Sequence, residues 1–272
     1  MPNCSCQHCG QSFAYRASDV IAQPRSHRLV VGDSTQEEDV TRVMGGQKAA
    51  LMATDPPYLL NYHGGNHPQS WNNKPDVRNK HWDDYHEGEA SELFFQFLQR
   101  ALQIALSANP AVYQWHAYKR QALVESAWHR AGLLVHQQVI WVKARAVLTH
   151  SHFMWQHEPC FYGWVQGKPP DRRPPPNVTT VWQIDQQGLE GLHPTQKPLE
   201  IVTRPIGYHT LPGDVIYEPF AGSGTALAAA EATGRVCCAI EKAEAFVAVI
   251  LERLAQMGLE PRLDDGRADG SS

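Results

Sequence analysis

The sequence predicts an α/β fold: a mostly parallel sheet with helices on both faces. Short apolar runs of strand length alternate with longer stretches whose apolar residues recur at three-to-four spacing. Several of the short runs stop at Gly, Asp or Pro, the residues that end strands at turns. With 272 residues, 42% hydrophobic and 19% charged, the chain can bury one large α/β core or two small ones. That composition excludes an intrinsically disordered chain. No apolar run approaches the ~18 residues of a membrane span, and the N-terminus lacks the basic-then-apolar pattern of a secretion signal, so a cytoplasmic protein without membrane association is expected.

Residues 1–27 read as a polar tail carrying three of the six Cys, and the compact domain spans 28–260. Residues 29–31 form an apolar run ending in Gly32-Asp33. Residues 49–53 form a second strand, stopped by Asp55-Pro56-Pro57-Tyr58, where two prolines fix the backbone. Residues 61–88 have no clear periodicity, and a loop this long inside a compact domain is usually functional or mobile. Residues 89–107 carry Leu93, Phe94, Phe97, Leu98, Ala101, Leu102, Ala105 and Leu106 at helical spacing. A strand over 111–113, a helix over 120–131 ended by Gly132, and strands over 138–142 and 160–164 follow. Five prolines within 166–178 break regular structure. A helix over 198–209 then leads to a strand over 215–217, a helix over 226–233 with Gly234 as its C-cap, a strand over 236–240 and a helix over 243–257. Residues 261–272 are expected to be a disordered tail.

Ligands of such sheets bind beyond the C-terminal ends of the strands. Three unusual segments fall there: Asp33, residues 55–58 and residues 218–225. In the last of these a strand feeds Gly222-Ser223-Gly224 and then a helix. The glycines permit close backbone approach and the helix N-terminus favours an anion. The segment lacks the Gly-Lys-Ser/Thr of a phosphate loop and the full dinucleotide fingerprint, so a ligand turn and a plain tight turn both fit it. Glu241, about twenty positions on, suits ribose hydroxyls or a solvated helix start.

The Asp55–Tyr58 segment is more specific. An exocyclic amine of a nucleobase is a poor nucleophile because its lone pair is delocalised into the ring. Two acceptors taking its N–H hydrogens release that pair for in-line attack. Asp55 supplies a carboxylate, Pro56 supplies a carbonyl without a competing donor, and Tyr58 supplies a stacking face for an extruded base; a proline-rich strand end with a core Tyr is the other reading of the segment alone.

Taken together, Asp55-Pro56-Pro57-Tyr58, His157-Glu158-Pro159-Cys160-Phe161-Tyr162-Gly163, His193-Pro194-Thr195-Gln196-Lys197-Pro198, Pro219-Phe220-Ala221-Gly222-Ser223-Gly224-Thr225 and the strand-terminal Glu241 resemble the DNA amino-methyltransferases. The catalytic segment precedes the cofactor segment, as in the beta group of that family. The resemblance implies a Rossmann-like, mostly parallel seven-stranded sheet, S-adenosylmethionine as methyl donor and double-stranded DNA as partner; a homodimer is compatible with it. It implies that Asp55 and Pro56 accept the target amine's hydrogens, that Pro57 stiffens the segment, and that Tyr58 stacks on the base. Phe220, Ala221, Gly222, Ser223, Gly224 and Thr225 would surround the methionine part of the cofactor. Thr195 and Lys197, beside His193, would meet its carboxylate; Glu241 would take the ribose hydroxyls, and Asp33 would approach the adenine. The family usually has Asp where this chain has Glu218, so the cofactor contact there would shift by one methylene. Asp at position 55 resembles the adenine-N6 enzymes more than the cytosine-N4 enzymes. Cytosine-N4 transfer is the alternative within the class. A DNA-binding protein that keeps the fold without the reaction is the alternative outside it, and the intact segment at 55–58 argues against it.

Charge bears on the partner. Lys and Arg number 24 against 28 Asp and Glu, a net charge of −4, so DNA contact must come from local groups. Lys74, Arg78 and Lys80 lie in the long loop, Lys143 and Arg145 follow a strand, and Lys168, Arg172 and Arg173 lie in the proline-rich stretch. The resemblance places target recognition in an insert at about 144–190. Cys4, Cys6 and Cys9 form a knuckle of the type that holds structural zinc, with His8, His27 or a second subunit to complete it; a metal-free tail is the other reading. Cys160, Cys237 and Cys238 sit in apolar runs, where a thiol packs as a small hydrophobe.

Overall fold

The computed structural model describes residues 3–5, 12–14, 20–22, 27–58, 87–147, 152–185 and 197–264. Strands β1 (Asn3–Ser5) and β2 (Ser12–Ala14) form a separate antiparallel pair. The remaining strands build one sheet. They are β3 (Val20–Ala22), β4 (Arg28–Val31), β5 (Ala49–Thr54), β6 (Leu106–Trp115), β7 (Leu133–Val147), β8 (Trp155–Val165), β9 (Val181–Gln183), β10 (Val215–Glu218), β11 (Val236–Glu241) and β12 (Arg262–Asp264). Their spatial order is β12-β3-β4-β11-β10-β5-β6-β8-β7-β9.

The five strands from β4 to β6 are mutually parallel, and β8 is antiparallel to both β6 and β7. These seven strands answer the sequence expectation. Three-residue strands on the two edges bring the sheet to ten. Two of these edge strands, β3 and β12, come from segments expected to be tails; β3 pairs with β4, and β12 pairs with β3. Likewise β8 runs inside the 144–190 span expected as an insert, and it is a core strand.

Alternation along the strands sorts the core into two layers. Leu29, Val31, Leu51 and Ala53 face one side, with Leu227 of α5 (Thr225–Thr233), Ile206 of α4 (Glu200–His209) and Ile250 of α6 (Glu244–Gln256). Val30 and Met52 face the other, with Val43 of α1 (Glu37–Met44), Phe97 of α2 (Glu87–Arg100) and Trp128 of α3 (Gln121–Arg130). The helix expected over 89–107 is shorter: a π-helical turn, Ala101–Ala105, follows α2, and Leu106 already pairs with Ala49. The ladder then skips from Ala49 to Leu51 on β5 while β6 advances from Leu106 to Ala111, so Pro110 sits in an interruption where its missing N–H costs nothing. Among the described residues, no helix is long and apolar enough to cross a membrane. Cys160, Cys237 and Cys238 are buried free thiols, as expected.

Candidate active site

The C-terminal ends of β4, β11, β10 and β5 lie side by side and carry Asp33, Glu241, Glu218 and Asp55 in that order. Hydrogen bonds tie the catalytic segment to the glycine turn. Buried Thr54 donates from Oγ1 to Glu218 Oε1 at 2.5 Å, and the same oxygen accepts the Phe220 N–H at 3.0 Å. Burial, with the Asp55 and Glu241 charges adding to it, pushes the Glu218 carboxyl well above the ordinary range despite these two bonds. Glu218 therefore braces β10, β5 and the turn through its Oε1.

Gly222 and Gly224 have φ of 54° and 78°, the left-handed region that only Gly enters without strain. Among the described residues, a Cβ on Gly222 would have only the Phe220 carbonyl oxygen within reach, at 4.0 Å, so none of them fills the space beside that backbone. A Cβ on Gly224 would lie 3.1 Å from Ile250, so that glycine serves packing against α6. Glu241 Oε2 accepts the Gly222 N–H at 2.7 Å, and Oε1 accepts the Ala243 N–H at 2.8 Å. Its carboxylate is thus held at the strand end with lone pairs to spare. Arg253 donates to the Ser223 carbonyl at 3.1 Å and to Thr225 Oγ1 at 3.3 Å, pinning the turn from α6. Phe220 meets Phe97 edge-on at 4.9 Å. Asp33 accepts the Thr35 N–H at 2.9 Å and pairs with Lys242 at 2.8 Å. Burial pulls its carboxyl up, but Lys242 and Thr35 outweigh it and hold the group below its usual range.

At the other side of the site lies a half-buried ion cluster. Lys197 Nζ sits 2.6 Å from Asp55 Oδ2 and 3.0 Å from Glu158 Oε2. Lys143 Nζ sits 2.6 Å from Glu158 Oε1. The Tyr58 hydroxyl donates to Glu158 Oε2 at 3.0 Å and accepts from Lys197 at 3.1 Å. The Asp55 side chain as a whole is 36% exposed, yet its Oδ1 is covered and has no hydrogen-bond partner among the described residues. Burial raises the Asp55 carboxyl above its ordinary value, with Lys197 opposing. The Glu158 carboxyl goes the other way: burial would raise it, but the two lysines hold it down at about 2.

Next to this cluster the β7–β8 hairpin projects past the sheet. Trp115, the last residue of β6, pairs with Cys160, so the five preceding residues of β8 extend about 17 Å beyond it. Near the tip, Phe153 and Met154 are 87% and 59% exposed, and Trp155 stacks on Tyr118 at 4.1 Å. Lys119 and Arg145 are exposed nearby in sequence.

A family model described as DNA methylase, N6_N4_Mtase, matches residues 49–252. The chain belongs to this DNA methylase family. A protein of Escherichia coli (strain K12) named as a methylase, YubD, is 27% identical over 221 residues, covering 80% of this chain and 88% of that one. The M1.HpyAVI–SAM complex superposes with a TM-score of 0.61 at 20% identity, covering 83% of this chain and 98% of the other. The cytosine-N4-specific PvuII DNA methyltransferase gives 0.65 at 16% identity, covering 92% and 91%. These solved structures share the fold of this DNA methylase.

Among the predicted site residues, the structure brings Asp55–Tyr58, Glu218, residues 220–225, Glu241 and Asp33 to one edge of the sheet. Lys197, expected at the cofactor carboxylate, lies between Asp55 and Glu158, whose half-buried carboxylates converge on it. Lys143, expected at DNA, is likewise turned inward to Glu158. Lys168, Arg172 and Arg173 lie at the wrong end of the sheet for the site: β8 runs antiparallel to β6, so the loop after Val165 emerges near the start of β6. There Asn109 bonds Asp171 at 2.9 Å, and His209 bonds the Arg172 carbonyl at 2.8 Å. Gln114, which pairs with Phe161 beside Thr54, is five residues, about 17 Å, from Asn109.

His193, Thr195, Lys74, Arg78, Lys80, Cys6 and Cys9, and the side chain of Cys4, lie outside the described residues. His27 is no zinc ligand here: it is fully buried, its Nε2 faces Glu231 at 3.1 Å and its Nδ1 accepts the Cys237 N–H at 2.9 Å. Among the described residues no group of three potential ligands could hold a metal. Glu158 is a site residue that sequence reasoning missed, although the motif around it was legible; Thr54 and Arg253 were missed too, and they carry no local signal.

Proposed function

We propose that this DNA methylase is a cytoplasmic, S-adenosylmethionine-dependent enzyme that methylates the exocyclic N6 of adenine in double-stranded DNA after base flipping. The observation that supports the reading is Asp55 Oδ1, covered and without a hydrogen-bond partner among the described residues, next in sequence to Pro56 and one hydrogen-bonded bridge away from the glycine turn.

The site's groups fit the cofactor. Gly222 leaves its backbone approachable, Glu241 presents a held carboxylate for a ribose diol, and the start of α5 offers N–H groups to a carboxylate. When bound there, S-adenosylmethionine would supply a sulfonium methyl with a neutral, good leaving group. The chain's own residues do the rest. Asp55 Oδ1 and the Pro56 carbonyl accept the two amine hydrogens and draw the nitrogen toward tetrahedral geometry. Tyr58 stacks on the extruded ring. Orientation supplies most of the gain, and no strong base is required. The adenine of the cofactor falls to Asp33, whose oxygens are already shared with Thr35 and Lys242. DNA approaches the edge that carries Asp55, where the β7–β8 hairpin presents Arg145, Phe153 and Trp155.

The test is incubation of duplex DNA with protein and S-adenosylmethionine, followed by nucleoside mass spectrometry. N6-methyladenine is the expected product; N4-methylcytosine would move the assignment to the other base, since both amines need the same two acceptors. Asp55→Ala should abolish transfer while sparing S-adenosylmethionine binding. Retained transfer would refute the assigned role.

A further inference from the structure

The ion cluster beside Asp55 does more than the methyl-transfer reading requires of it, and its role is inferred on the basis of that reading. Asp55 and Lys197 both lie outside helices and strands, whereas Glu158 lies on β8, where it pairs with Trp141 across the ladder. Glu158 is therefore the rigid member. Its Oε1 is taken by Lys143, and its Oε2 by Lys197 and the Tyr58 hydroxyl. The cluster holds two carboxylates and two ammonium groups, so its formal charge is zero. Removing one partner leaves an uncompensated charge in a covered site.

We propose that Glu158, braced by Lys143, is a positioning residue: it anchors Lys197 so that the ammonium ties up Asp55 Oδ2 and leaves Oδ1 as the acceptor for the target amine, and it fixes the Tyr58 ring through its hydroxyl. Lys197 thereby acts on the amine-binding carboxylate and not on the cofactor. The Lys197 ammonium also lies 5.2 Å from the Tyr58 ring centroid, so the ion that orients Asp55 also packs on the stacking ring. Lys143 keeps Glu158 from acting as a bare negative charge next to Asp55.

The test uses the full-length protein and compares wild type, Glu158→Gln, Lys143→Met, Lys143→Arg and Lys197→Met, reading kcat, KM for DNA and the S-adenosylmethionine Kd. Misorientation of a reacting group costs up to roughly 10²-fold. A kcat loss of that order is expected for Glu158→Gln and Lys197→Met, with cofactor Kd near wild type, and Lys143→Arg should recover what Lys143→Met loses. The acid limb of kcat should move to higher pH in Lys197→Met. Asp55 faces Lys197, Glu158, Tyr58, Glu218 and Cys160, and of these only Lys197 supplies a positive charge to hold its carboxyl down. Weakened cofactor binding with kcat retained would overturn the proposal and return Lys197 to the cofactor carboxylate. A Glu158→Gln kcat equal to wild type would overturn it too. If Glu158→Gln does not fold, the Lys143 pair carries the same split. A wild-type protein that binds S-adenosylmethionine but methylates no DNA would overturn the parent reading, and the positioning role with it.

Discussion

Replacing Glu241 by Gln isolates the cofactor side of the site from the catalytic side. Each carboxylate oxygen accepts one backbone N–H, from Gly222 at 2.7 Å and from Ala243 at 2.8 Å. An amide keeps one acceptor and turns an NH₂ toward the other N–H, so one charge-assisted bond is lost and two donors confront each other. A hydrogen bond to a charged group is worth about 1.5–3 kcal/mol. Part of that falls on fold stability, because both bonds exist without ligand. The ribose contact should suffer a separate loss of the same kind, since a diol donating to two oxygens finds only one acceptor in the amide. A loss of 1.5–3 kcal/mol corresponds to an increase of roughly 10- to 150-fold in Kd. Isothermal titration of S-adenosylmethionine into the variant reads this directly, and transfer at saturating cofactor should stay within a few-fold of wild type. An unchanged Kd would remove Glu241 from the cofactor site, and a collapse of kcat at saturation would mean that the two halves are not separable.

The same geometry dictates three further outcomes. His116 and His209 are buried, and burial brings both imidazoles down to about 4 from 6.5. The unfolded chain takes up these protons first as pH falls, so their contribution is complete above ~6.5 and drains away toward pH 4, at up to about 1.4 kcal/mol per pH unit for each. Glu218, whose carboxyl is raised, acts with the opposite sign in this window, so the reading is the difference between variants. Denaturant titrations between pH 7 and 4.5 should show His116→Phe losing less stability toward acid than wild type, by up to one proton's worth, and equal slopes would contradict it. Gly224→Ala forces a left-handed non-Gly residue against Ile250 and should cost at least ~1–2 kcal/mol in thermal unfolding. Gly222→Ala incurs the same left-handed strain without the Ile250 contact, so it should lose less stability than Gly224→Ala and more cofactor affinity. Finally, neutralising Lys119 and Arg145 should weaken DNA binding and lower the salt slope by about 0.9 for each phosphate no longer neutralised. Neutralising Lys168, Arg172 and Arg173 together should leave both unchanged, as filter binding across a salt series would show.

How far the sequence alone reaches depends on the range of the interactions involved. Apolar runs such as residues 29–31, 49–53 and 236–240 form β4, β5 and β11 because parallel strands buried on both faces are apolar along their length. Helix α1 leaves only a faint signal: its acidic first turn and Gly45 cap are visible, but its eight residues carry only Val40, Val43 and Met44 as an apolar stripe. The three-residue strands β3, β9 and β12 are too short to show any period. Strand β7 has fifteen residues where the apolar pattern marks five, because residues such as His136, Gln137 and Lys143 interrupt that pattern. The most consequential miss concerns direction. In an all-parallel sheet, the loop after β8 would emerge at the catalytic edge. The antiparallel turn of the β7–β8 hairpin sends Lys168, Arg172 and Arg173 to the far edge and lifts Phe153 and Met154 beside the site. No local pattern reports that reversal. The Asp55–Lys197 and Lys197–Glu158 contacts are equally illegible, since they join segments 142 and 39 positions apart.

The position of the target nitrogen decides between methyl transfer at this site and any other role for it, and a crystal structure of the protein with a non-reactive cofactor analogue and duplex DNA measures that position. The expected result is an extruded adenine stacked on Tyr58, its N6 within hydrogen-bonding reach of Asp55 Oδ1 and the Pro56 carbonyl and pointing at the analogue beside Gly222. A base held elsewhere, or an Asp55 whose Oδ1 still has no partner with the base in place, would contradict it.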